Sequence, residues 1–70
     1  MMTDIDYATA LLNGTHKVLF HKDDGSIRTI RGALQAGDQI RTPGIVPIRC
    51  ADTGAFKSFK VAAVIEFAKA

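Results

Sequence analysis

A mostly-β domain behind one short N-terminal α-helix is the fold class this sequence predicts. Three observations carry that reading. Residues 16–34 alternate apolar and polar around an Asp-Gly turn, and residues 45–60 repeat the arrangement around Asp52-Thr53-Gly54. Only residues 3–13 show helical spacing ahead of an Asn-Gly stop. The chain of 70 residues makes a single domain, 1–70, whose core is thin, because a chain this short buries only about 60% of the surface its unfolded form exposes.

The helix, residues 3–13, has Thr3 or Asp4 as cap, and Asp4 and Asp6 complement the positive end of its dipole. Tyr7, Ala8, Leu11 and Leu12 form its apolar stripe, with burial expected for Tyr7, Leu11 and Leu12. Gly14 is suited to a left-handed C′ position. Eleven residues are marginal as an isolated helix in water, so this one has to dock, on one end of the sheet or on a second copy of the chain.

For the first hairpin the register can be argued. A two-residue Asp24-Gly25 loop would pair Phe20 with Thr29 and mix the faces. A three-residue loop, with Asp23-Asp24 in a type I turn and Gly25 left-handed, pairs Phe20 with Arg28 and Val18 with Ile30. It places Val18, Phe20, Ile30 and Leu34 on one side and is preferred. Residues 35–44 follow as the longest irregular stretch, with Pro43-Gly44 fitting the centre of a type II turn and Ile40 able to tuck beneath. In the second hairpin Pro47 demands a free edge or a bulge. Its register stays open: a two-residue turn sets Ile48 opposite Phe59, and a three-residue turn brings Phe56 inward and Phe59 out. Residues 61–70 read as helix by alanine content, or as a short strand by Ile65 and Phe67 flanking Glu66.

The chemistry of the chain is that of a binding module and not of an enzyme. It has no glycine-rich phosphate loop and no serine elbow, so neither a catalytic residue nor a cofactor is expected. His16 and His21, five apart on a strand, point to opposite faces and read as exposed polar residues, and with Cys50 they lack zinc-site spacing. Asp23 and Asp24 are turn formers. Cys50 reads as a small buried hydrophobe. As the only cysteine it excludes an internal disulfide and suits a reducing, cytoplasmic compartment. The acidic start lacks the basic region of a secretory signal, and no apolar run is long enough to span a membrane. With no disulfide or metal, the thin core leaves idealised packing, or self-association as a homo-oligomer along the edge interrupted at Pro47, as its source of stability.

The formal charge of +2 is unevenly spread. From Arg28 to Lys60 stand Arg28, Arg31, Arg41, Arg49, Lys57 and Lys60 against only Asp38 and Asp52. Such a balance is the footprint of an anionic partner, although exposed strand positions also carry Lys and Arg for solubility. Within it, Phe56-Lys57-Ser58-Phe59-Lys60 interleaves aromatics with cations, as small barrels do to stack bases and hold phosphates. Phe20, Phe59 and Phe67 are expected in the core and Phe56 at the surface.

Residues 18–34, from Val-Leu-Phe-His-Lys-Asp-Asp-Gly-Ser through Arg-Thr to Leu34, resemble the opening of a family of small phage-encoded, WYL-like proteins. Residues 50–60, with an aspartate before a turn and then aromatic, basic, Ser, Phe, basic, resemble that family's second signature. The resemblance implies a five-stranded SH3-like, or Sm-like, β-barrel over residues 16–67. It also implies a 3₁₀ turn at 61–63, a last strand at 64–67, Phe59 in the core and Phe56 outside. Phe56 stands where tryptophan is commoner and Lys57 where arginine is usual, which weakens planar stacking and bidentate phosphate binding there.

Taken together, the expectation is a non-catalytic regulatory module of phage or bacterial origin, working in the (host) cytoplasm. Its ligand would be nucleic acid or another anion, held by Arg28, Arg31, Arg49, Lys57 and Lys60 with Phe56 as stacking surface. The competing expectation is a module that docks on a host protein.

Overall fold

The computed structural model describes residues 2–70. Helix α1 (Asp4–Leu12) is followed by strands β1 (His16–His21), β2 (Ile27–Ala33), β3 (Ile45–Cys50) and β4 (Phe56–Lys60). A 3₁₀ turn (Val61–Ala63) then leads into β5 (Val64–Lys69). The five strands form one antiparallel sheet in the order β4-β3-β2-β1-β5. The C-terminal segment is therefore turn and strand, not helix.

Thr3 caps the helix in a capping box: its hydroxyl accepts from the Asp6 amide at 3.2 Å, and the Asp6 carboxylate accepts from the Thr3 amide at 2.8 Å. The Thr3 amide, bonded to the carboxylate, favours its charged form and, first among the causes, holds Asp6 below the usual carboxylate range. At the other end Gly14 is nearly extended (φ 159°) and does not take the expected left-handed conformation. Asn13 removes the need for it, giving its amide N–H to Ala10 O and its side-chain Nδ2 to Thr9 O. Tyr7 and Leu11 are buried as expected, but Leu12 is 46% exposed. The stripe facing the sheet is narrower than the sequence suggests, because Tyr7 and Leu11 at i, i+4 already fill the contact.

The first hairpin adopts the preferred register, with Val18 opposite Ile30 and Phe20 opposite Arg28. Gly25 has φ 87° and donates to Lys22 O, and Lys22 donates to Ser26 O. The Asp24 carboxylate accepts from the hydroxyl and amide of Ser26, which lowers its pKa. The Thr42-Pro43-Gly44-Ile45 turn has the hydrogen bond and the left-handed Gly44 (φ 81°) of type II.

The second hairpin takes neither register weighed from sequence. Its loop has four residues, 51–54, closed by Gly54 N–H to Cys50 O and Cys50 N–H to Ala55 O. Thr53 Oγ1 accepts from the Ala55 amide and steadies the extra residue. Val46 then lies opposite Phe59 and Ile48 opposite Lys57, so Phe59 is buried and Phe56 is outside. Because Cys50 directs its amide at β4, the alternation of the ladder turns Pro47 toward the β2 side. There the β2–β3 ladder contains only Gly32–Cys50 and Ala33–Arg49, so the missing donor disturbs nothing.

The core is Leu11 and Tyr7 from the helix with Val18, Phe20, Ile30, Leu34, Val46, Ile48 and Phe59 from the sheet. Phe67, Val64 and Cys50 pack at its margin and are only partly buried. Tyr7 meets Phe59 and Phe67 edge-on at 5.8 and 4.9 Å, and His16 stacks flat on Phe67 at 4.7 Å. His16 is thus a packed residue rather than an exposed one, with Nδ1 2.9 Å from Gly14 O.

The closed barrel expected from the resemblance is not formed. Among the described residues no ladder joins β4 to β5, which are the two edges of the sheet. Two features of the chain account for this. The 3₁₀ corner, anchored by Val61 N–H to Gly44 O, carries the chain from β4 across to β1, where β5 pairs with a bulge at Leu19/Phe20. The short β2–β3 ladder lets the first half of β2 part from β3 and leaves the inner face of the sheet open at the hairpin end.

Candidate functional site

Strand β4 is an edge with a groove on each side, and Phe56 and Ser58 line both. Phe56 is 51% exposed. Its placement follows from register: Phe56 and Pro47 share the outer face with Arg49 and Ser58, while Phe59 faces the core. Since Lys57 and Phe59 hydrogen-bond toward β3, the amides of Phe56 and Ser58 turn to the free edge.

The outer groove lies between β3–β4 and the 35–44 loop and is lined by Asp38, Arg41, Pro47, Arg49, Phe56 and Ser58. Arg49 organises it. Its Nε and Nη2 donate to the two oxygens of Asp38 at 2.8 and 2.9 Å, a bidentate fork. The same guanidinium sits 4.3 Å from the Phe56 ring centre, at cation–π distance. The Asp38 side chain, 10% exposed, also accepts from the Gln35 amide at 2.8 Å. The Arg49 hydrogen bonds, and then the Gln35 amide, hold the Asp38 carboxyl down at about 2, and Asp38 raises Arg49 in return. Arg49 thereby joins Phe56 to the loop, which Asp4 also ties at the Gly44 amide (2.8 Å).

The inner cleft opens where β2 parts from β3. Lys22, Arg28 and Lys57 surround it, and Phe20, Ile30 and Phe56 give it apolar walls. Arg28 and Lys57 sit there because each is paired with an inward-facing residue, Phe20 and Ile48, at the end of the sheet where no neighbour covers them. Neither pairs with a carboxylate among the described residues.

Of the residues singled out from sequence, Arg28, Phe56 and Lys57 come together in one cleft, and Arg49 joins Phe56 from the other side. Lys60 borders an adjoining cleft with Phe20 and Lys22, where it makes an exposed ion pair with Asp23 at 3.2 Å. Arg31, opposite Lys17, is turned away from the inner cleft onto the outer face of the sheet and lines neither groove. Sequence reasoning missed Lys22 and Arg41 as site residues. Lys22 shares the parity of Phe20, a signal that was there to use. Arg41 lies in an irregular stretch with no periodicity to place it.

Among the described residues no cluster of His, Cys, Asp and Glu is arranged to hold a metal ion. No helix there is long and apolar enough to cross a membrane. No protein-family model, curated protein or solved structure matches the chain.

Proposed function

We propose that this chain is a non-catalytic module that binds single-stranded nucleic acid across β4 in a regulatory role in the cytoplasm. Its strand order and the three-residue 3₁₀ link between β4 and β5 support reading the sheet as an opened form of the SH3-like, Sm-like barrel of WYL-like phage proteins. One observation carries the functional reading: a half-exposed Phe56, held by Arg49, stands beside Lys22, Arg28 and Lys57. A flat apolar face takes a base of any sequence, and the cations take the phosphates next to it.

The test is a fluorescence-anisotropy titration of labelled oligothymidylate at two salt concentrations. Binding is expected to be saturable at low salt and to weaken steeply with added salt. Arg28→Glu with Lys57→Glu removes two phosphate contacts and flattens the slope of log K against log salt by about 1.4. No saturable binding at low salt rejects the proposal.

A second reading, docking on a host protein, is favoured by a different surface. Ile5 (68% exposed) and Leu12 (46% exposed) line an apolar groove between the helix and Ile40 and Pro43. A pull-down that is salt-resistant and lost with Leu12→Glu would support it.

A further inference from the structure

Apart from the Asp38–Arg49 ion pair, the charges of the two grooves flanking β4 are cations, and the grooves share one aromatic, Phe56. Arg41, exposed and without a carboxylate partner among the described residues, stands on the outer side with Thr42. Lys22, Arg28 and Lys57 stand on the inner side. Between them are the Phe56 ring, the Ser58 hydroxyl and the edge amides of Phe56 and Ser58. Arg49 also stands 4.3 Å from the ring centre, but its charge is already paired with Asp38 through Nε and Nη2, so its first role is to position Phe56, and among the described residues the unpaired cations are Arg41 on one side and Arg28 and Lys57 on the other.

A ligand with a single phosphate next to its base can satisfy only one side of this arrangement. A ligand that meets both sides needs an anion before and after the planar group, which is the repeat of a polynucleotide backbone. A free edge strand suits such a crossing, because its outward amides are donors for a backbone phosphate.

Resting on the proposed single-strand reading, we infer that the ligand is a strand of at least two nucleotides that crosses the free edge of β4 at Phe56. One phosphate lies on the Arg41 side and the next on the Lys57–Arg28 side, so a free nucleotide is not the ligand. Arg41 thereby becomes a binding residue that belongs to neither strand.

Competition against labelled oligothymidylate tests this, with thymidine 5′-monophosphate, the dinucleotide carrying a 5′-phosphate, and a longer oligothymidylate as competitors. The dinucleotide is expected to compete at least about tenfold better than the mononucleotide, one charge-assisted contact apart. Arg41→Glu, an exposed change, should weaken the dinucleotide and the oligomer and flatten their salt slope by about 0.7, leaving the mononucleotide's competition unchanged. Equal competition by mononucleotide and dinucleotide, with no effect of Arg41→Glu, overturns the crossing while leaving nucleic-acid binding intact. No oligothymidylate binding by the unmutated protein overturns both.

Discussion

A methyl group at position 32 has no room. A Cβ on Gly32 would overlap the Arg49 carbonyl oxygen and lie 2.8 Å from the Arg49 carbonyl carbon and 2.9 Å from Ile48 Cγ1. Two of these three atoms are backbone, so relief requires moving β3. Gly32→Ala is therefore expected to cost about 1–3 kcal/mol in urea unfolding, as overpacking of a tight contact does. Because β3 carries Arg49, the same change should disturb Phe56. Gly25 is limited by conformation instead of space: nothing lies near its missing Cβ, but its φ is 87°. Gly25→Val should cost about 1 kcal/mol or more through backbone strain, and Gly25→Asn, which tolerates the left-handed region, should cost less. The Gly25 requirement was readable from the Asp-Asp-Gly turn. That of Gly32 was not, since nothing in a single strand announces that another strand's backbone will cross it.

At the scale of elements, the 35–44 loop is an ordered clamp built on Asp38. Asp38 has its pKa lowered to about 2 from an ordinary 3.8, first by the Arg49 side chain and then by the Gln35 amide. A depressed carboxylate contributes stability above its unfolded pKa and loses it as pH falls through the folded one. The contribution is thus complete above about pH 4 and fades toward pH 2. Asp38→Asn should lower stability at neutral pH and leave a shallower acid-unfolding profile between those values, monitored by circular dichroism. The helix makes a parallel case. Leu11 is fully buried and its carbonyl accepts from the Leu34 amide at 2.9 Å. Leu11→Ala should cost about 2–5 kcal/mol, whereas Leu12→Ala, at an exposed position, should cost little. Alternation and turn chemistry revealed the helix, the first hairpin and the type II turn, because each is decided within a dozen residues. The second hairpin's register was not legible: Thr53 and Gly54 allow several loop lengths, and only the burial of Phe59 against Tyr7 and Phe20 selects one. Nor was the bond between Asp38 and Arg49, which joins a loop to a strand eleven residues on.

At the scale of the whole molecule, one strand pair that does not form and one that stays short matter as much as the full ladders. With β4 and β5 unpaired and β2 leaving β3 after two residue pairs, the inner face opens beside Phe20 and Ile30. That opening turns Arg28 and Lys57, inward by parity, into surface cations. The short β2–β3 ladder, more than the unpaired edges, is what opens the position between them. The aromatic and two of the cations beside it, Arg28 and Lys57, were named from the sequence. That Arg31 faces away from Arg28 was also legible, since the two are three apart on β2 and the first hairpin's register already turns Arg28 and Ile30 inward.

The proposed site depends on Phe56 acting as a stacking platform with phosphates held beside it, and the salt dependence of Phe56→Ala tests that most directly. Titrated with labelled oligothymidylate over a range of salt, Phe56→Ala should bind about 1–3 kcal/mol more weakly than the unmutated protein. Its slope of log K against log salt should be unchanged, since no phosphate contact is removed. Phe56→Ala binding with undiminished affinity would contradict the account.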